Sequence, residues 1–285
     1  MNVLGGTRVL GVFGHPIEHS LSPVMQNAAL SALHLDYVYV PFHVLPDGLG
    51  KAVDGIRALG LAGVNVTIPH KERVIEYLDE VSELSRQIRS VNTIIPANGR
   101  LRGDTTDGPG FLRSVEAVWG RVDGGRALIL GAGGSAKAVA YALAGVGCEL
   151  VIVNRTPERA AELVEALNGF FGKNVAKSAP LEREALAEEM GKADLLVNTT
   201  SVGMHPKVDA TLVQAELIRK GLCVYDLVYN PLRTRLVLEA ESRGASAMTG
   251  LKMLAYQGAL SLEMWTGRSA PVDVMEEALV RHFSA

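Results

Sequence analysis

Cysteine is scarce. The two in these 285 residues, Cys148 and Cys223, sit among apolar neighbours with no CxxC or Cys/His spacing, which argues against a disulfide framework and against a metal site. A reducing cytoplasm is the expected compartment. Aromatic residues make up only 5%, and 28 Lys and Arg against 31 Asp and Glu leave a net charge of −3. The chain therefore has neither a basic surface for tracking phosphates nor an array of rings for stacking bases, and nucleic acid is not an expected partner. Long apolar runs are also missing. The nearest to one, Ala127 to Ile152, carries just two charges, Lys137 and Glu149, but five glycines interrupt it, and its changing periodicity reads as strand, turn, helix, strand; no membrane span is expected. Met1 to Arg8 lacks the basic and apolar regions of a signal peptide, so no export signal is expected.

What is present is apolar material, 48% of the chain, enough for sizeable cores. Dividing the length by about 150 residues per domain gives roughly 1.9, so two domains are the starting expectation. Short β-rich runs alternate with helical patterns, the signature of an α/β fold with parallel strands and crossover helices. The strands expected are Val9 to Phe13, Tyr37 to Phe42, Gly63 to Ile68, Ala127 to Leu130, Leu150 to Val153, Leu195 to Asn198 and Cys223 to Leu227. Between the first two, a helix opens with Ser22 as N-cap and Pro23 at its first position, and Val24, Met25, Ala28, Ala29, Ala32 and Leu33 form its apolar stripe. Val91 to Pro96, the turn Asn98-Gly99, and Leu101 to Thr105 predict a hairpin. A boundary is expected near Asp107, where a new helix starts and a second run of strands and helices follows. The segment from Gly250 onward reads as helical and is expected to pack back on the first domain, leaving that domain discontinuous: 1–107 with 251–285, and 108–250.

The strand Ala127 to Leu130 runs into Gly131-Ala132-Gly133-Gly134-Ser135-Ala136 and then a helix, the context that gives a glycine motif its meaning. Gly131 permits the tight turn, Gly133 lets the backbone approach a pyrophosphate, and small Ala136 allows close helix packing; the loop amides and the helix dipole favour the anion. After the next strand, where an NAD site usually presents a carboxylate to the ribose 2′-hydroxyl, stands Asn154-Arg155-Thr156. A carboxylate would repel a 2′-phosphate, whereas Arg155 can pair with it and Asn154 and Thr156 can hydrogen-bond it, so NADP is the expected cofactor. Arg159 supplies a second cation. The competing reading makes Thr156 an ordinary N-cap before Pro157.

In Asn65-Val66-Thr67-Ile68-Pro69-His70-Lys71, strand alternation points Asn65 and Thr67 one way, Val66 and Ile68 the other. Pro69 is expected to start a helix with Lys71 in its first turn, where a cation opposes the helix dipole; such a local conflict marks a candidate proton-transfer group. Asp107 fits an N-cap as well as a cleft carboxylate. Asn92 is polar amid strand residues, and His15, Ser20 and Ser22 cluster just after the first strand, where open α/β sheets place ligands.

Taken together, Gly14 through Pro23, Asn65 through Lys71, Val91-Asn92-Thr93, Thr106-Asp107-Gly108, the glycine loop, Asn154-Arg155-Thr156, Asn198 through Met204, Tyr229-Asn230-Pro231 and Gly250 through Gln257 resemble the shikimate dehydrogenase family. They follow the family order from about residue 10 to 260. The resemblance implies an N-terminal α/β substrate domain and a Rossmann-like, doubly wound NADP-binding domain with a cleft between them. It implies an NADP-dependent oxidoreductase that reversibly reduces 3-dehydroshikimate to shikimate in chorismate and aromatic amino acid biosynthesis, working as a monomer or homodimer.

Carried over by position, Ser20 and Ser22 hold the substrate carboxylate, and Asn65, Thr67, Asn92, Asp107 and Gln257 hold its ring hydroxyls. Lys71 and Asp107 form the catalytic pair, with Lys71 also touching substrate, and Tyr229 is a further substrate contact. Leu227 and Gly250 lie near the nicotinamide, and Glu83 matches an acidic cofactor contact of some relatives. Thr105 stands where the family more often has Asn, and Arg235 where Pro is frequent. The alternatives are a quinate/shikimate dehydrogenase with broader substrate or NAD use and, in another class, a non-catalytic NADP-binding sensor.

Overall fold

The computed structural model describes residues 3–284. The chain divides into two compact units, one made of the residues up to Gly110 and from Leu254 onward, the other of Phe111–Met253.

The first unit is built on six strands: β1 (Arg8–Gly14), β2 (Tyr37–His43), β3 (Gly63–Val66), β4 (Glu80–Val81), β5 (Thr93–Ala97) and β6 (Arg100–Asp104), in the order β2-β1-β3-β5-β6-β4. β1 lies parallel to β2 and β3, while the β5–β6 hairpin enters antiparallel, so the sheet is mixed. The expected hairpin turn is there, with Asn98 and Gly99 both at positive φ, as a two-residue connection requires. Helix α1 (Ser22–Ala32) connects β1 to β2, and α2 (Leu49–Ala58) connects β2 to β3. In α2 the i, i+4, i+7 spacing of Leu49, Val53 and Ile56 lays one face on Phe13, Val64, Val66 and Ile94. A short α3 (Glu83–Ile88) follows.

The second unit begins within α4 (Asp107–Trp119) and carries a second six-stranded sheet: β7 (Arg126–Leu130), β8 (Glu149–Val153), β9 (Ala176–Ala179), β10 (Leu195–Asn198), β11 (Cys223–Asp226) and β12 (Ser246–Thr249). The order is β12-β11-β10-β7-β8-β9, and every pair is parallel. The chain winds outward from β7 through β8 to β9, then returns to the other flank of β7 with β10. The carboxyl ends of β7 and β10 therefore form the switch point where such sheets bind ligands. Connecting helices are α5 (Gly134–Gly145), α6 (Pro157–Phe171), α7 (Arg183–Lys192) and α8 (Arg235–Ser242). Leu128, Leu130, Leu196 and Val224 pack against Met190 of α7 and Leu236 of α8, which is why the central strands read as unbroken apolar runs.

Two long helices end the chain, α9 (Gly250–Thr266) and α10 (Val272–Ser284). Trp265 of α9 lies so close to β3 that a Cβ on Gly63 would meet its ring at 2.3 Å, and its Nε1–H donates to the Ile94 carbonyl at 3.0 Å. Gln26 of α1 donates to the Gly258 carbonyl at 2.9 Å.

The structure corrects several expectations. β3 stops at Val66 rather than Ile68; the chain turns before Pro69, which cannot donate to a ladder, and Ile68 stands 73% exposed. Pro69 starts no helix. Lys71 lies in a turn ahead of the 3-10 turn Arg73–Tyr77, so no helix dipole acts on it. Ser22 is the first residue of α1 and not its cap; Leu21 holds the cap position without a side-chain bond. Strand β11 ends at Asp226, one residue short of Leu227. β4, β9 and β12 had no clear signal because each is a short edge strand with one unpaired side, where apolar alternation is weakest.

Candidate active site

A buried polar cluster occupies the first unit, and Asn92 is its hub. Only 2% exposed, Asn92 donates from Nδ2 to Thr106 Oγ1 and Asp107 Oδ1, both at 2.8 Å, and to Gln257 Oε1 at 3.3 Å. Its Oδ1 accepts from the Thr106 amide at 2.8 Å and the Thr93 hydroxyl at 2.9 Å. Asp107 Oδ2 takes the Lys71 ammonium at 2.7 Å. The turn bearing Lys71 is anchored to the same region, because its carbonyl accepts from the Val91 amide at 2.9 Å. Asp107 is not spent on capping: it is the first residue of α4, and its carboxylate takes Lys71 and Asn92 instead. Asn65 Nδ2 donates to the Asn92 carbonyl at 2.9 Å and to Ser261 Oγ at 3.0 Å, and its Oδ1 accepts from the Tyr39 hydroxyl at 2.8 Å.

Lys71, Asp107, Asn92, Asn65 and Gln257 are thus joined in one network. Half-buried Ser20 lies between β1 and α1 and half-buried Ser22 opens α1, its amide donating to Ser20 Oγ at 3.4 Å. Tyr39 lies in the network through its bond to Asn65; burial drives its phenol far above the ordinary pKa, an effect that nearby Ser22 opposes. Thr67 lies half-buried just past β3, with no side-chain bond to the others among the described residues. Glu83 opens α3 on the surface, with no bond to any of these groups among the described residues.

In the second unit, the expected strand, turn and helix are present. Gly131 has φ +112°, and a Cβ there would meet Thr199 Oγ1 at 2.5 Å, so the turn requires glycine. In front of Gly133 and Gly134 there is open space to 4 Å; with Ala132 and exposed Ser135 they lead into the N-terminus of α5. Gly131, Asn154, Arg155, Leu181, Thr200, Val202 and Leu212 help line a cavity of about 250 Å³ at the switch point. Arg155 and Arg159 are exposed, with no ion-pair partner among the described residues. Thr156 holds the cap position of α6 but makes no side-chain cap bond; its carbonyl instead accepts from Asn154 Nδ2 at 2.8 Å. Leu227 and Gly250 are brought together: a Cβ on Gly250 would lie 2.0 Å from the Leu227 carbonyl oxygen. Nearby in sequence, Tyr229 is half-buried, and that burial pushes its hydroxyl pKa up.

Comparison with known proteins matches residues 12–94 to the shikimate dehydrogenase substrate binding domain, 113–227 to shikimate/quinate 5-dehydrogenase, and 250–280 to the shikimate 5′-dehydrogenase C-terminal domain. The chain is 48% identical over 281 residues, 98% of each chain, to shikimate dehydrogenase (NADP(+)) of Methanothermobacter thermautotrophicus. The chain belongs to the shikimate dehydrogenase family. A crystal structure of a shikimate dehydrogenase in complex with NADP+ superposes with TM-score 0.94 at 40% identity, covering 100% of this chain and 98% of that one. The Thermus thermophilus shikimate 5-dehydrogenase in complex with NADP(H) and shikimate gives 0.87 at 41%, covering 96% and 99%.

Several residues around these groups carry no individual signal in the sequence pattern. Tyr39, Thr93, Thr106 and Ser261 complete the polar cluster, and Leu181, Thr200, Ser201, Val202 and Leu212 line the cavity. Tyr39 reads as an ordinary strand aromatic. The segment from Asn198 to Met204 carried a signal as a family motif but no individual role. Thr105, the departure from the family pattern, is buried, and its hydroxyl has no partner among the described residues. The nucleotide end fits NADP on this structure's own features: an open loop ahead of a helix N-terminus, and a cavity with Arg155 in its lining.

Proposed function

We propose that this chain reversibly reduces 3-dehydroshikimate to shikimate with NADPH, a step toward chorismate and the aromatic amino acids. The unit holding the Asn92 cluster takes the substrate, and Phe111–Met253 takes NADP. The observation that carries this reading is the Lys71–Asp107 pair at 2.7 Å, embedded in a cluster of amides and hydroxyls that suits a polyol better than any apolar ligand. A small hydroxylated acid offers little apolar area, so each unmatched polar group in its pocket would cost about 1 to 3 kcal/mol.

Ser20 and Ser22 hold the substrate carboxylate, and Asn65, Thr67, Asn92, Asp107 and Gln257 hold its ring hydroxyls, with Tyr229 a further contact. In the direction of reduction, the Lys71 ammonium donates a proton to the carbonyl oxygen as negative charge develops there; in oxidation its amine takes the proton back. Asp107 keeps Nζ in place through the 2.7 Å bond, and Asn92 keeps Asp107 in place. Such positioned proton transfer contributes roughly 10²- to 10⁴-fold in rate. Bound NADPH supplies the hydride. Gly131, Ala132, Gly133, Gly134 and Ser135 hold the pyrophosphate, Asn154, Arg155, Thr156 and Arg159 the 2′-phosphate, and Leu227 and Gly250 the nicotinamide end; Glu83 is an additional contact. With both cysteines free, the cytoplasm is the proposed compartment.

Side-by-side initial rates with shikimate and quinate, each with NADP and with NAD, test the reading. The expected result is fastest turnover with shikimate and NADP. Faster turnover of quinate with NAD would overturn it.

A further inference from the structure

Asp226 closes β11 fully buried, and none of the roles above uses it. Its Oδ1 accepts from Asn198 Nδ2 at 2.9 Å and from the Val228 amide at 3.1 Å; its Oδ2 accepts from Thr234 Oγ1 at 2.6 Å. The groups facing it are neutral: Asn198 beside it on β10, Thr249 beside it on β12, and Thr234 ahead of α8. A carboxylate buried without a cation is costly, and burial raises its pKa. A residue kept under that cost calls for a compensating role.

An ionised carboxylate only accepts hydrogen bonds, whereas an amide side chain donates from one end and accepts at the other. Opposite Asp226, Asn198 must present its NH₂ end. That leaves Asn198 Oδ1 to accept from the Thr200 amide at 3.1 Å and the Thr200 hydroxyl at 2.7 Å, while its Nδ2 also reaches the Val202 carbonyl at 3.2 Å. Thr200 and Val202 line the cavity beside Arg155. The same carboxylate oxygen holds the Val228 amide, between Leu227, whose carbonyl abuts Gly250, and Tyr229. One buried acid therefore ties together the two segments that flank the carboxyl ends of β10 and β11.

We propose that Asp226 is a positioning residue for NADP: its charged oxygen, accepting from both Asn198 and the Val228 amide, strengthens the orientation of the Asn198 amide and so holds residues 199–202 and 227–229 in the arrangement the cofactor needs. This rests on the reading of the cavity and of the Leu227–Gly250 contact as the NADP site.

The test is the KM for NADP of wild type and Asp226→Asn across a pH series, with kcat and the KM for shikimate measured alongside. An amide at 226 offers Asn198 and the Val228 amide only a neutral acceptor, so the tie between the two segments weakens. The expected result near neutral pH is an about tenfold higher KM for NADP, the size of losing a hydrogen bond to a charged group, with kcat and the KM for shikimate, which Leu227 and Tyr229 bear on, changed by less than the KM for NADP. As pH falls through the titration of Asp226, wild type approaches the variant and the ratio of the two KM values falls toward one. Titration of the cofactor's own phosphate is common to both proteins and cancels in that ratio. A ratio near one at every pH, or a raised ratio that ignores pH, overturns the proposal. Thr234→Val, which removes one donor to the carboxylate, gives a second reading should Asp226→Asn not fold: a raised KM for NADP restored by Thr234→Ser supports the proposal, and an unchanged KM overturns it. Failure of wild type to bind NADP would instead refute the NADP site itself.

Discussion

Replacing Lys71 by Met separates chemistry from architecture. Methionine keeps most of the stem and its packing but removes the ammonium, and with it the 2.7 Å bond to Asp107. The structural cost is small. Asp107 keeps its bond from Asn92 Nδ2 at 2.8 Å, and the Lys71 side chain is 29% exposed, so water reaches the pair; the loss in stability is about 1 kcal/mol after screening. The cost in rate is larger. Proton transfer worth roughly 10²- to 10⁴-fold corresponds to about 2.7 to 5.4 kcal/mol of barrier. Because the ammonium acts on charge that develops only in the transition state, kcat and kcat/KM should fall together. Steady-state shikimate oxidation followed by NADPH absorbance, with thermal unfolding of the same preparation, measures both. A kcat within threefold of wild type would refute the assignment, as would a rate loss matched by loss of folded protein.

Arg155→Ala should raise the KM for NADP by roughly 10- to 100-fold, the equivalent of one charge-assisted bond to the 2′-phosphate, and leave NAD kinetics nearly unchanged; equal losses for both cofactors would refute the contact. Gly250→Ala places a Cβ 2.0 Å from the Leu227 carbonyl oxygen, and since backbone cannot yield as a flexible side chain does, a lower Tm and weaker cofactor binding are expected; a wild-type Tm and KM would show the approach to be looser than this. Stability should also report on Asp226. Its folded pKa is raised by burial, so the native state holds that proton more tightly than the unfolded chain, and the associated stability is present below the unfolded value and lost as pH rises through the folded one. Asp226→Asn should therefore have a Tm at least equal to wild type at neutral pH, with the difference shrinking on acidification, and a deficit at neutral pH would contradict this sign.

Much of the second unit was legible because its rules are local. Ala127 to Leu130 is a buried apolar run, Gly131 needs a positive φ, and the helix starts within a few residues, so strand, turn and anion site follow from adjacent letters. The first unit was harder. Lys71 stood out for opposing a helix dipole, but there is no helix there; what distinguishes it is the carboxylate of Asp107, 36 positions away in sequence. Asn92 stands out only as a polar residue amid strand residues, while its partners Asp107 and Gln257 come from two helices that no spacing rule connects to it. Family resemblance supplied those positions, not periodicity.

Asp226 marks where single-sequence reasoning stops. The expected strand Cys223 to Leu227 contains Asp226 and gives it no individual role, since nothing within a few residues reveals that it pairs with no cation among the described residues. Only the parallel pairing of β10 with β11 sets it opposite Asn198, 28 residues earlier. That pairing also gives the conflict its sense: the same carboxylate that burial destabilises is the charged acceptor for the Asn198 NH₂ end, alongside the Val202 carbonyl, and so strengthens the orientation that turns the amide oxygen toward Thr200. A neutral residue at 226 would suit the fold as well or better, so the sense of a buried acid there lies in the cofactor segments it ties together and not in the stability of the sheet.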